Sequence, residues 1–258
     1  MSVIDLNGKT IFVAGAAGQL GKVLSRTLLD ADANVILNDV SDASLTLLAA
    51  ELGSPDKLLT MAGSITDADF VQRLLKTGTE RFGKVDGAVN CAYPRNAQYG
   101  RKFFDVAFDD FTDNVGSHLG AYFVCMQQCA KYAVERGEHF SLVSMSSIYG
   151  VMAPRFEVYD GTAMTMPVEY AAIKSALQHL TSYVTKYTSG SLFRANCVSP
   201  GGIFAHQDER FVERYGSFSR KKGMLDSEDV TGAVLFLLSD AAQYICGQNI
   251  VVDDGFSR

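Results

Sequence analysis

The chain has 258 residues, 47% apolar and 20% charged, with a formal net charge of −6. That balance excludes a disordered chain, which lacks the apolar surface needed to offset ordering entropy. The acidic charge argues against a nucleic-acid or anionic-membrane binder, which needs a basic face. No apolar run reaches the ~20 residues of a membrane span. The start, MSVIDLNGKT, has no basic region followed by an apolar one, so no export signal is expected. The five scattered cysteines then read as reduced thiols of a cytoplasmic protein, without metal-ligand spacing.

Short apolar, β-branched runs alternate with longer helical patterns. Strands are predicted at 9–14, 34–39, 57–61, 85–91, 139–145, 192–198 and 248–252. Helices are predicted at 19–31, 43–52, 67–82, 108–136, 167–188 and 227–239. Strands apolar on both faces and separated by helices imply an α/β fold, a three-layer, doubly wound parallel sheet of about seven strands with helices on both faces. No repeat, linker or composition break divides residues 1–258, so one domain is expected to carry cofactor and catalytic sites together. Residues 149–166 and 200–225 fit neither pattern and are expected to be long irregular loops walling a substrate pocket.

In such a sheet, ligands bind beyond the carboxyl ends of the strands. The first strand runs into Gly15-Ala16-Ala17-Gly18-Gln19-Leu20-Gly21 and then a helix. Glycines there permit a tight turn and close backbone approach to a pyrophosphate, and the helix N-terminus favours the anion. The second strand ends at Asp39, whose carboxylate suits adenosine ribose hydroxyls and would repel a 2′-phosphate. NAD(H) is therefore expected over NADP(H). The alternative is that Asp39 merely caps the next helix, a role Ser41 or Asp42 could fill. Tyr170 and Lys174, four residues apart after Pro167, share one helix face. An ammonium beside a phenol lowers its pKa, and such a Tyr exchanges a proton with a substrate oxygen near neutral pH. A serine from Ser144-Met145-Ser146-Ser147 at a neighbouring strand end can hold that oxygen.

In combination and order, the glycine turn, Asn90-Cys91-Ala92-Tyr93, SMSSIYG, YAAIK, NCVSPGGI and the C-terminal LFLLSDAAQYICGQNIVVDDG resemble the short-chain dehydrogenase/reductase family, with its Rossmann-type fold. The resemblance covers nearly the whole chain. It implies Tyr170 as catalytic acid/base, Lys174 as nicotinamide-ribose ligand that lowers the Tyr170 pKa, and Ser147 as orienter of the substrate oxygen. It implies cofactor contacts from Gly15, Gly18, Gln19, Leu20, Gly21, Asp39, Ser64, Ile65, Asn90, Ala92, Tyr170, Lys174, Pro200, Gly202 and Ile203. A homotetramer or homodimer is also implied, paired through helices 108–136 and 167–188. Several positions depart from the family pattern. Gln19 and Tyr93 stand where glycine is usual, Ser64 where an adenine-contacting Asp is usual, and Ala205 where a carboxamide-binding Thr is common. Before Gly120 the family's catalytic-helix Asn is replaced by Ser117, with Asn114 and His118 nearby. His118 itself reads as a packing or surface residue.

Within the family, CAYPRN together with IYGVMAPRFEVYDGTAMTMPVEYAAIK resembles oxidoreductases of bacterial flagellin-modification clusters that make nonulosonic acid sugars. The residues point the same way. Arg95 and Arg155 fall in loops on the active-site side and suit a phosphate or carboxylate. Tyr93, Tyr149 and Tyr159 suit stacking on a sugar or base. A small, polar, anionic substrate is expected, with no metal. Two rival readings stay open: a sugar dehydratase or epimerase that recycles NAD internally, and a non-catalytic NAD-binding partner subunit.

Overall fold

The computed structural model describes residues 4–258. Seven strands, β1 (Thr10–Ala14), β2 (Asn34–Asp39), β3 (Leu58–Ala62), β4 (Gly87–Asn90), β5 (Phe140–Met145), β6 (Phe193–Pro200) and β7 (Asn249–Val252), form one sheet in the order β3-β2-β1-β4-β5-β6-β7. Every pairing is parallel. The predicted runs fall within two residues of these strands. Chain order reverses between β1 and β4, which opens a crevice at their carboxyl ends. The register sets one row across the sheet: Met61, Asn38, Ala14, Asn90, Ser144, Cys197 and Asn249. The residues that follow this row form a single ledge.

Alternate residues of each strand serve two apolar cores. Phe12 and Ile36 pack beneath α3 (Ala68–Phe82), α5 (Gly120–Arg136) and α6 (Val168–Tyr187), through Leu74, Tyr122, Cys125 and Leu177. Ile11, Val13 and Leu37 face α1 (Gln19–Asp30), α2 (Asp42–Leu52) and α8 (Glu228–Leu238), through Leu24, Leu28, Leu48 and Val234. Side-chain oxygens start the helices: Asp67 accepts from the Asp69 and Phe70 N–H groups at 2.9 and 3.2 Å, and Ser41 accepts from Ser44 N–H at 3.2 Å. The predicted helix 108–136 is α4 (Phe108–Asn114), a π-helical turn over Val115–Leu119, and α5. No helix among the described residues is long and apolar enough to cross a membrane, and all five cysteines are free thiols.

The two expected loops are more ordered than their composition suggests. Residues 149–166 contain a tight turn at Phe156–Tyr159, and 200–225 contain α7 (Glu209–Ser217), capped by Asp208. This corrects the irregular reading of 200–225. Phe211 and Tyr215, one turn apart, bury against Tyr149, Val158, Tyr159 and Phe256 in a third apolar cluster above the ledge.

A Cβ at Gly21 would overlap the Gly15 carbonyl oxygen and the Ala16 backbone, so α1 can start close to β1 only with glycine there. Gly21→Ala is expected to cost about 1–3 kcal/mol, the usual range for overpacking. That lowers the melting temperature by several degrees in a circular-dichroism melt. An unchanged midpoint would contradict the close approach.

Candidate active site

At the crevice, Gly15 adopts φ +74°, and a Cβ on it would lie 2.9 Å from the Ala92 Cα. Glycine thus lets the turn after β1 pass against the segment after β4. Gly18 is the N-cap of α1, the first turn holds no acidic residue, and no side chain caps it. The first N–H groups of a helix have no partners within it, so this end presents donors and positive charge. Gln19 donates from Nε2 to the Phe204 carbonyl at 2.8 Å, tying α1 to the segment after β6. Asp39 ends β2 half-buried, and its carboxylate accepts from the Ala17 N–H at 3.2 Å and the Ser41 N–H at 3.4 Å. The cap of α2 is Ser41, not Asp39. Asn90 accepts from Ala92 N–H at 3.0 Å through Oδ1, while its Nδ2 is buried without a partner. Backbone cradle, unobstructed helix end, carboxylate and orphaned amide together fit a dinucleotide.

Ser64 and Ile65 follow β3. The Ile65 side chain is buried in the apolar core, which leaves its backbone as the part available to a ligand. The Ser64 hydroxyl lies 2.7 Å from that of Thr66 and accepts the Thr66 N–H.

A cavity of about 520 Å³ opens on the ledge and brings together Gln19, Leu20, Ala92, Tyr93, Arg95, Ser147, Tyr149, Tyr170, Lys174, Pro200, Gly202 and Ile203. Ser147 follows β5 and accepts the Tyr149 N–H at 3.2 Å. Lys174 is 4% exposed, and its Nζ donates to the Met145 carbonyl at 2.8 Å and to the Tyr122 hydroxyl at 3.3 Å. It stands 5.6 Å from the Tyr170 ring centroid. Tyr170 keeps one flank open to the cavity while its hydroxyl lies deep beside Ser147. Tyr93 meets Tyr170 and His118 edge-on, at ring separations of 5.7 and 4.9 Å, and its hydroxyl donates to that of Tyr99 at 2.7 Å. Arg95 lies over the Tyr93 ring at 5.2 Å.

The charge states differ from the expectation that Lys174 lowers the Tyr170 pKa. Burial pushes Tyr170 up to about 12, with the Ser147 hydroxyl working the other way. Burial also pushes Lys174 down to about 7. An amine only partly charged at neutral pH has little leverage on the phenol, and desolvation wins.

Arg155 does not line the cavity. Its guanidinium packs at 4.7 Å over Phe218 and 5.5 Å over Phe256, and donates to the Phe256 carbonyl at 3.4 Å. It staples the C-terminal segment to the 149–166 loop. Asn114 binds the Asn96 N–H at 2.9 Å and fixes the loop after β4, while Ser117 bonds only locally. Besides Tyr122, the side chain that reaches Lys174 from this stretch is His118, at 3.3 Å, a residue that reads from sequence as packing or surface. Met164, Gln207, Phe211 and Tyr215 also line the cavity. The Asp208 cap and the Phe211–Tyr215 spacing were the available signal for the last two.

Comparison with known proteins accords with this geometry. The family model for enoyl-(acyl carrier protein) reductase matches residues 15–257. The chain belongs to the short-chain dehydrogenase/reductase family. It is an oxidoreductase of that type. It is 34% identical over 254 residues to post-translational flagellin modification protein A of Campylobacter coli, covering 97% of this chain and 99% of that one. It is 28% identical to a 3-oxoacyl-[acyl-carrier-protein] reductase of Thermotoga maritima, covering 97% and 98%. A short-chain dehydrogenase of Leptospira borgpetersenii, solved with bound NAD+, superposes with a TM-score of 0.87 at 26% identity, covering 99% of this chain and 95% of that one.

The folded Lys174 pKa lies below the ordinary value of 10.5. From about pH 7 to 10 the unfolded chain therefore holds more of this proton, so unfolding free energy rises with pH across that window. The cost of burying the ammonium is full below pH 7 and is relieved as the amine deprotonates. Urea unfolding at pH 7, 8 and 9 should show this rise in the wild type, and a shallower one in Lys174→Met. Equal slopes would contradict it.

Proposed function

We propose that this protein moves a hydride between NAD(H) and a carbinol or carbonyl carbon of a polar, anionic, sugar-type substrate, with Ser147, Tyr170 and Lys174 as its catalytic set. The observation that carries the reading is the convergence of Ser147, Tyr170 and Lys174 on one cavity next to the glycine turn. One domain carries both sites. Gly15, Gly18, Gln19, Leu20 and Gly21 would hold the pyrophosphate, Asp39 the adenosine ribose, and Ser64 and the Ile65 backbone the adenine edge. Asn90, Ala92, Lys174, Pro200, Gly202 and Ile203 would border the nicotinamide and its ribose. Asp39 supports preference for NAD(H) over NADP(H), since a carboxylate repels a 2′-phosphate.

Nicotinamide, when bound, supplies or accepts the hydride. Ser147 holds the substrate oxygen by hydrogen bonding. Tyr170, protonated through the neutral range because of its burial, delivers its proton to that oxygen in reduction and recovers it in oxidation. Lys174 holds the ribose and the Tyr170 side of the cavity. Arg95, with Tyr93, Tyr149 and Tyr159, supplies a cation and flat faces for an anionic sugar. The Campylobacter coli relative is named for flagellin modification, in accord with the resemblance from which that substrate class is proposed. The free thiols support a cytoplasmic setting.

The test is a turnover screen of purified protein with NAD+, NADH and their phosphorylated counterparts against phosphorylated and nucleotide-linked sugars. It follows both nicotinamide absorbance and product mass. Net nicotinamide change with NAD(H), reduced about 10²–10⁴-fold in Tyr170→Phe while NADH still binds, is the expected result. Near-normal turnover in that variant overturns the mechanism. A new product mass without nicotinamide change replaces it with internal recycling, and NADH binding with silence on every sugar replaces it with a non-catalytic subunit.

We further propose a homodimer or homotetramer paired through α5 and α6. Phe123, Val134, Tyr183 and Tyr187 are exposed there around an apolar groove of about 510 Å³. Light scattering should give two or four chain masses, falling in Tyr183→Asp. A monomeric wild type would overturn the pairing.

A further inference from the structure

The Lys174 ammonium has three protons, and three acceptors surround it. The Met145 carbonyl lies at 2.8 Å, the Tyr122 hydroxyl at 3.3 Å and the His118 Nε2 at 3.3 Å. The first is backbone, on β5. The Tyr122 hydroxyl sits between the Asn90 and Met145 carbonyls, 3.1 Å from each. His118 is fully buried and lies one helical turn before Tyr122, in the π-helical turn that joins α4 to α5. Tyr93, edge-on at 4.9 Å, sets its ring plane.

We infer that His118 is a positioning residue of the catalytic set: as its Nδ1–H tautomer it accepts a hydrogen bond from Lys174 and holds the amine on the Tyr170 side of the cavity. Only an unprotonated Nε2 can accept from an ammonium, so the ring proton belongs on Nδ1. That nitrogen is buried with no partner among the described residues, so nothing in the structure favours the other tautomer. Burial also pushes the imidazole pKa down to about 2, with the Lys174 charge adding to it. The ring therefore stays neutral throughout the working range, and toward a Lys174 ammonium it can only accept. The titratable groups around the pair are Tyr93 and Cys91 after β4, Tyr122 on α5, Tyr170 on α6 and Cys197 on β6. Burial holds each of these phenols and thiols protonated and neutral near pH 7, and the fully buried Glu169 of α6 couples to Tyr93 beside them. His118 thus acts through Lys174 and does not touch the reacting atoms. The inference rests on the proposed role of Lys174, but its test needs no substrate.

The first measurement uses the wild type: ¹⁵N-histidine NMR at pH 6, below the Lys174 midpoint. The expected signature is a neutral His118 with its proton on Nδ1; a proton on Nε2 overturns the inference. The second uses lysine ¹³C-labelled at Cε, with Lys174 assigned by its loss in Lys174→Met. His118→Phe keeps a ring against Tyr93 and removes the acceptor, so the Lys174 midpoint should fall by about one unit, a tenfold loss of proton affinity. His118→Gln restores an acceptor and should return the midpoint toward the wild type. An unshifted midpoint in His118→Phe, or no recovery in His118→Gln, overturns the inference. Failure here with normal turnover removes His118 alone. Success here with a silent turnover screen leaves the contact standing and removes the reaction.

Discussion

Seven parallel strands stop at one level, and every group in the site hangs from that alignment. The row from Met61 through Ala14 and Asn90 to Asn249 brings the turn after β1, the segment after β4, Ser147 after β5 and Pro200 at the end of β6 onto one ledge. Parallel pairing forces this, because each crossover returns the chain to the amino end of the sheet and leaves all the carboxyl-end loops together. The site has contributors more than 150 residues apart because the ledge collects them. Close approach at Gly15 and Gly21 then sets the distance between turn, helix and the neighbouring strand end.

Burial governs the electrostatics on that ledge. Lys174, Tyr170 and His118 are each displaced toward their neutral forms by removal from water. Pairwise attraction, which spacing along a helix suggests, is the smaller effect. The result is a neutral phenol, an amine near its midpoint at neutral pH and a neutral imidazole, held side by side.

Above the ledge, the two long segments cohere through an apolar cluster of their own. Tyr215 stacks on Phe256 at 4.0 Å and accepts the Gly202 N–H at 2.6 Å, which ties α7 to the C-terminal segment and to the strand-end loop after β6. Arg155 belongs to this support, its guanidinium flat against Phe218 and Phe256. Arg95, over the Tyr93 ring at the cavity wall, remains the cation that a ligand can reach.

The sequence by itself determined what is local or periodic. Alternating apolar runs gave the strands within two residues, because two-sided burial demands continuous apolar character. The glycine turn, Asp39 at a strand end, and Tyr170 with Lys174 on one helix face were legible, since each depends on spacing within one element. The α7 helix was readable from its Asp208 cap and the Phe211–Tyr215 pair, yet hidden by composition that looked like loop. Tertiary structure alone decided which way long side chains turn. Arg155 and Arg95 are equivalent in sequence context, but only Arg95 borders the cavity. His118 reads as a packing histidine until α6 sets Lys174 beside it, and Ile65 follows a strand end yet faces the core. The strength of the Tyr170–Lys174 coupling was likewise invisible. It depends on how much water the rest of the fold excludes, and desolvation is a property of the assembled cavity rather than of any residue in it.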